Sequence, residues 1–203
     1  KNRYGLERYL KAFKLFEKAK CKDKLNSYYL LKNISPDISY SSDTNDYVNI
    51  YKSINRKSSV SAAIFEGVKK GDDPAMTTFW CNIGEPALSV AIPLWIYSGQ
   101  VPKALNQNDS SAINQISLAL AEFVYPDTSR SNSIFLPRYK EIETKIQKLQ
   151  SKVIRKTRKK LKKWRKVLPG SAEVAKFQSA IANEVRRKLE KIVNEIEHNN
   201  LQK

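Results

Sequence analysis

Histidine and cysteine are nearly absent from this 203-residue sequence. The one histidine, His198, lies in a polar C-terminal stretch, and the two cysteines, Cys21 and Cys81, form no CxxC or Cys/His cluster. A histidine-dependent triad and a histidine-rich metal site are therefore not expected from this chain alone. We expect no metal and no cofactor. We interpret both cysteines as structural or incidental; a disulfide between them is an open alternative that nothing in their placement supports.

Long apolar runs and the common catalytic motifs are missing as well. No stretch reaches the roughly 20 apolar residues of a membrane-spanning helix, and no signal-peptide core is visible. The sequence has no GxSxG, no P-loop, no HExxH and no GxGxxG after a strand. Because the chain starts at a lysine, we expect a segment upstream. A signal peptide there would give a periplasmic or exported protein.

The charge is strongly positive. The net charge is +17 and the isoelectric point is near 9.8, while the hydrophobic fraction of 41% is normal for a folded protein. A net charge this positive indicates that the protein has an acidic partner, works in an acidic environment or has a solvated basic surface. The length fits one domain, or one domain with an appendage.

Residues 58–98 form the one stretch where β-branched, aromatic and small residues dominate. Alternation at 60–65, a second apolar run at 77–83 and a third at 87–97 predict a three-stranded antiparallel meander. Turn residues fill 67–74. Pro93 lacks an N–H for a ladder, so the third strand is expected to lie at an edge or to bend there. Because so small a sheet is marginal by itself, helices of this chain or further sheet must cover it.

Helices are predicted on both sides of the meander, which gives an α+β fold. Residues 4–20 are amphipathic, and a second short helix follows to residue 31; both are expected to pack on the sheet. Residues 33–49 are predicted as a loop. A further helix begins at Ser110 or Ser111 and ends near Tyr125.

Residues 137–203 are predicted to form a basic αα-hairpin, broken at Pro169 and Gly170. The first arm contains no acid between residues 152 and 166. This arm can bind nucleic acid or an anionic membrane surface, or it can serve only as a solvated face. The candidate anion-binding residues are Arg155, Lys156, Arg158, Lys159, Lys160, Lys162 and Lys163.

Three charged residues near the strands are candidates for a site. Arg56 directly precedes the first apolar strand, where its planar guanidinium can reach a cleft and bind a carboxylate; the alternative is a solvated arginine. Glu66 and Glu85 flank strand ends and are weighed as an acid/base pair.

The central stretch contains five motifs that can be compared with known families: NRKSS at 55–59, IFEGVK at 64–69, DPAMTTFW at 73–80, GEP at 84–86 and VAIPLW at 90–95. Together they resemble the C-terminal part of N-terminal-nucleophile hydrolases, in the branch of the penicillin acyltransferases and other linear-amide C–N hydrolases. The resemblance is strongest over about fifty residues.

The resemblance implies an αββα sandwich and self-cleavage that frees an N-terminal cysteine, whose thiolate attacks an amide and whose α-amine is the base. Neither Cys21 nor Cys81 stands where that cysteine belongs, so the nucleophile is expected upstream. Residues 1–136 would then be the C-terminal half of the sandwich. Its partners would be the N-terminal half and a small-molecule amide, with Arg56 near the cleft. The alternative is a non-enzymatic basic protein that binds nucleic acid or an anionic surface through the hairpin.

Overall fold

The computed structural model describes residues 3–38, 46–106, 111–127, 129, 130 and 132–201. The fold is mixed α/β, with small antiparallel sheets between helical segments. The helices are α1 (Arg3–Lys20), α2 (Ser27–Tyr29), α3 (Ala112–Val124), α4 (Leu136–Trp164) and α5 (Ser171–Leu201). The strands are β1 (Tyr47–Asn49), β2 (Ser61–Glu66), β3 (Thr78–Ile83), β4 (Ile92–Leu94) and β5 (Ser133–Phe135).

The predicted meander is confirmed. Strands β2, β3 and β4 pair antiparallel in that order, and Pro93 lies opposite Trp80 in the edge strand β4. The third strand is shorter than predicted, because only Ile92–Leu94 pair with β3. Its flanks are nevertheless mostly buried, as the apolar run indicated, although Ile96 is exposed.

Beside β4, buried glutamine side chains of α4 and α5 accept hydrogen bonds from backbone amides that would otherwise pair with a neighbouring strand. The amide N–H of Ala91 donates to Gln150 Oε1 at 2.7 Å, and that of Trp95 donates to Gln178 Oε1 at 3.1 Å. Gln178 Nε2 in turn donates to Ser98 Oγ and to the Gln100 carbonyl. The bonds to Gln150 and Gln178 satisfy the amide N–H groups of the buried residues Ala91 and Trp95.

The helix α1 forms as predicted, but the expectation that its apolar stripe packs on the sheet is wrong. The stripe points to solvent, and Tyr9, the largest side chain in it, is 64% exposed. Tyr9 and Phe13 stack on each other, with ring centroids 6.4 Å apart. The exposed stripe consists of Leu6, Tyr9, Leu10, Phe13 and Phe16.

A second, two-stranded sheet joins distant parts of the chain. Strand β1 pairs antiparallel with β5, so that Val48 lies opposite Ile134. The predicted loop at 33–49 is therefore only partly a loop: a π-helical turn occupies Leu30–Ile34 at its start, and β1 closes it. Residues 39–45 of that prediction lie outside the described residues.

The C-terminal hairpin forms from α4 and α5. Its antiparallel arrangement is shown by ion pairs that join Lys145 to Glu195 at one end and Lys160 to Glu173 at the other. The main buried cluster contains side chains from both 1–136 and 137–203, including Trp80, Ile92, Ile142 and Val185. Within the described ranges, no helix combines the length and the apolarity needed to cross a membrane.

Candidate functional site

Arg56 lies beside a second arginine, Arg8 of α1. Arg8 donates from Nε to the Ser53 carbonyl and from a terminal nitrogen to the Ile54 carbonyl, both at 3.2 Å. Burial lowers the pKa of Arg8, and the neighbouring charge of Arg56 lowers it further. Among the residues that the structure describes, the buried Nε of Arg56 has no hydrogen-bond partner. Two adjacent guanidinium groups favour an anion, and their planar forks suit a carboxylate.

A buried polar cluster adjoins Arg56 in the chain and is centred on Glu85. Glu85 Oε1 accepts from Asn55 Nδ2 at 2.6 Å and from the Tyr125 hydroxyl at 2.7 Å. Asn55 Oδ1 also accepts from the amide N–H of Ala87. Burial raises the pKa of Glu85 to about 7, although the two hydrogen bonds favour its charged form. The cluster therefore ties the segment around Arg56 to the Gly84–Pro86 turn and to the end of α3.

Glu66 belongs to a different cluster. Its oxygens accept from Ser27 Oγ at 2.8 Å and from Trp80 Nε1 at 3.1 Å, while Arg165 lies 3.7 Å away. Because Glu66 ends β2 and Glu85 follows the end of the antiparallel β3, the two carboxylates stand at opposite ends of the sheet. The paired acid/base interpretation of Glu66 and Glu85 is therefore wrong.

One face of the meander is only partly covered. Residues opposite each other in an antiparallel ladder share a face, so Phe65 and Phe79 point the same way, as do Ala63 and Cys81. We call these four residues the open sheet face. Phe65 is 70% exposed and stacks on Phe79 at 4.8 Å. At the β4 end the same face is closed, since Ile92 is fully buried.

The opposite face of the meander is packed under helical segments. Trp80 is fully buried there, and Tyr28 of α2 meets its ring edge-on at 6.0 Å. Arg158 of α4 covers Tyr28 in turn, 4.8 Å from the ring centroid. The sheet therefore has helices on one side and an exposed aromatic pair on the other.

Neither cysteine has the features of a nucleophile. Cys21 is exposed and Cys81 is half-buried, and both are free thiols. Burial raises the pKa of Cys81, which disfavours its thiolate. Among the described residues, no group of three His, Cys, Asp or Glu side chains is arranged to hold a metal ion.

The predicted anion-binding residues of α4 divide into two sets. Lys156 pairs with Glu184, and Lys160 pairs with Glu173, so α5 neutralises both. Within the described part of the chain, the others have no ion pair to an acidic side chain, and all of them are exposed. These are Arg155, Arg158, Lys159, Lys162 and Lys163.

Sequence reasoning missed several residues of these clusters. The sequence indicates Tyr125 only as the end of a helix, Arg165 lies in the basic arm without being among the candidate anion-binding residues, and Lys69 is not connected with that arm. Nothing in the spacing could connect them, because Lys69 lies in a turn far from α4 in the sequence. Comparison of the chain with protein-family models, curated proteins and solved structures finds no match.

Proposed function

We propose that this chain is the downstream part of a self-processed cysteine-nucleophile hydrolase or acyltransferase that acts on a linear amide bond. In this proposal the nucleophile lies upstream of Lys1, and the described meander belongs to one of the two sheets of an αββα sandwich. The motifs at 55–95 that resemble this family lie mostly in the meander and in the buried segments beside it.

The open sheet face is the observation that carries the proposal. The two sheets of a sandwich pack face to face about 10 Å apart, and each sheet buries the apolar inner face of the other. A stacked Phe65–Phe79 pair exposed on one side of a sheet whose other side lies under helices is what one half of such a sandwich would show. The exposed stripe of α1 also favours contact with further protein.

Arg56 is the residue of this chain that we assign to the cleft. The buried Asn55–Glu85–Tyr125 cluster fixes the backbone directly before it, and Arg8 adds a second positive charge beside it. In this role the arginine pair would bind a carboxylate and orient it. The chemistry of bond cleavage would come from the upstream cysteine and its α-amine.

The test is hydrolysis of linear amides by the protein expressed from its complete coding sequence. We expect activity that is lost when the cysteine at the processed N-terminus is replaced by alanine. Arg56→Gln should raise KM about tenfold or more for amides that carry a carboxylate, because one charge-assisted bond is removed. Lys166→Gln removes an exposed charge beside Arg165, at the Glu66 end of the sheet, and serves as the control. The absence of any such upstream cysteine would refute the proposal.

The second candidate is a non-enzymatic protein that binds nucleic acid or an anionic surface through the hairpin. The set of exposed, unpaired cations on α4 favours it. It predicts affinity for nucleic acid or anionic vesicles that falls steeply with salt and with the charge of residues 155–163. Binding that is insensitive to both would exclude it.

A further inference from the structure

A groove of about 560 Å³ lies where the C-terminal part of α4 meets the turn between β2 and β3. Its walls come from three distant segments: Tyr28 of α2, the turn at Lys69 and Asp72, and the last turns of α4 with Arg165 just beyond them. The groove exists only in the folded chain, since no local stretch of sequence contains its parts.

The lining of the groove is strongly cationic. The positively charged groups are Lys69, Arg158, Lys159, Lys162 and Arg165, and the single acid is Asp72. Arg165 is neutralised, because its Nε lies 3.2 Å from Asp72 Oδ2 and its terminal nitrogen lies 3.7 Å from Glu66. Over the described residues, the other four have no ion pair with a carboxylate. Like charges held this close repel each other, and that repulsion is relieved by an anion that enters between them.

The floor of the groove is held together by polar and ring contacts. Asp72 Oδ2 accepts from the Lys69 amide N–H at 3.3 Å and pairs with Arg165, so the turn is joined to the end of α4. Arg158 lies 4.8 Å from the centroid of the Tyr28 ring, and that ring packs against Trp80 at nearly a right angle. The one aromatic ring in the lining is therefore already in contact with two protein side chains, and recognition in the groove rests on charge.

We propose that this groove binds a compact, multiply charged anion with adjacent phosphate groups, such as the polyphosphate part of a small molecule. Lys159 and Lys162 lie one turn apart on α4 and Lys69 faces them from the turn, so neighbouring phosphates meet several ammonium groups at once. The volume of about 560 Å³ can hold a short chain of phosphates. This inference does not rest on the proposed amide hydrolase activity.

The test measures binding of sodium tripolyphosphate to the protein expressed from its complete coding sequence, by isothermal titration calorimetry at low ionic strength. The double variant K159Q/K162Q removes two groove charges. The matched control K163Q/K166Q removes two charges from the same end of the hairpin outside the groove lining. All four lysines are exposed, so far-UV circular dichroism and the unfolding temperature should match wild type.

We expect the groove variant to raise the Kd about tenfold or more and the control to change it less than about threefold, because only the first removes direct contacts. An equal rise in the Kd of both variants would show that tripolyphosphate responds only to the overall positive charge of the hairpin. That result would overturn the proposal. It would also be overturned if tripolyphosphate fails to bind while a single-stranded DNA oligonucleotide or anionic phospholipid vesicles bind. That outcome would support the hairpin as an extended anionic-surface binder.

Discussion

At the scale of single residues, the buried Glu85 links folding to protonation. The residue is 5% exposed, and its carboxyl accepts hydrogen bonds from Asn55 and Tyr125. Burial raises its pKa to about 7 from the ordinary 4.5. Between these two values the folded chain keeps a proton that the unfolded chain has lost. The contribution of protonated Glu85 to the free energy of unfolding should therefore be fully present below about pH 4.5 and be lost as the pH rises through 7.

Glu85→Gln should remove this pH dependence, because glutamine keeps an oxygen for Asn55 and Tyr125 and never ionises. Each pKa unit corresponds to about 1.4 kcal/mol. The free energy of unfolding of the variant minus that of wild type should thus rise by about 3 kcal/mol from pH 4 to pH 8. Urea unfolding at a series of pH values measures the difference. A flat difference across that range would show that Glu85 titrates normally.

The Glu85 cluster shows the limit of sequence reasoning for single residues. Asn55 and Glu85 both stand in the motifs that carry the family resemblance, but their hydrogen bond spans 30 residues, and the bond from Tyr125 spans 40. A carboxylate in a Gly-Glu-Pro turn is usually solvated, so the pattern gave no reason to expect burial. Only the tertiary fold shows which oxygens lose water.

At the scale of elements, the hairpin supports the edge of the meander through Gln150 and Gln178. Strand β4 is short because the backbone groups beside it bond to these side chains and not to another strand. Gln178 is fully buried and reaches three partners: the Trp95 amide, Ser98 Oγ and the Gln100 carbonyl. The helix α5 therefore fixes the conformation of the chain on leaving the sheet.

Gln178→Leu should lower the free energy of unfolding by about 2–3 kcal/mol, since the buried Trp95 amide N–H loses its acceptor and the buried Ser98 hydroxyl loses a donor. Gln147→Leu is the control, because Gln147 is exposed and its side chain donates to Glu143 one turn away; its effect should stay within about 0.5 kcal/mol. Chemical denaturation of both variants makes the comparison. Similar losses in the two would mean that the Gln178 bonds contribute little.

Periodicity predicted the elements better than their packing. The meander, α1, α3 and the hairpin all follow from local apolar spacing. Val48, Ile50 and Ile54 indicate a short strand or extended segment, but the pairing of β1 with β5 was missed, because nothing in two three-residue strands far apart in sequence indicates that they pair. The burial of the α1 stripe was wrongly expected, because an apolar face predicts a contact without naming the surface that supplies it.

At the scale of the whole molecule, aromatic side chains of the described residues are exposed in two places. The stripe of α1 and the open sheet face both present aromatic side chains to solvent, with Tyr9 64% and Phe65 70% exposed. Isolated apolar residues on a surface are ordinary, but stacked aromatic pairs in both places favour contact with further protein. This surface is the physical reason to propose a second half of a sandwich.

The most direct test is the intact mass and N-terminal sequence of the protein expressed from its complete coding sequence. The proposal predicts a processed chain that begins with cysteine upstream of Lys1. It also predicts that replacement of that cysteine by alanine leaves the chain uncut, because the thiol is the nucleophile of self-cleavage. A single unprocessed chain with no cysteine upstream of Lys1 would contradict the proposal. It would leave a basic α/β protein whose binding surface is the C-terminal hairpin.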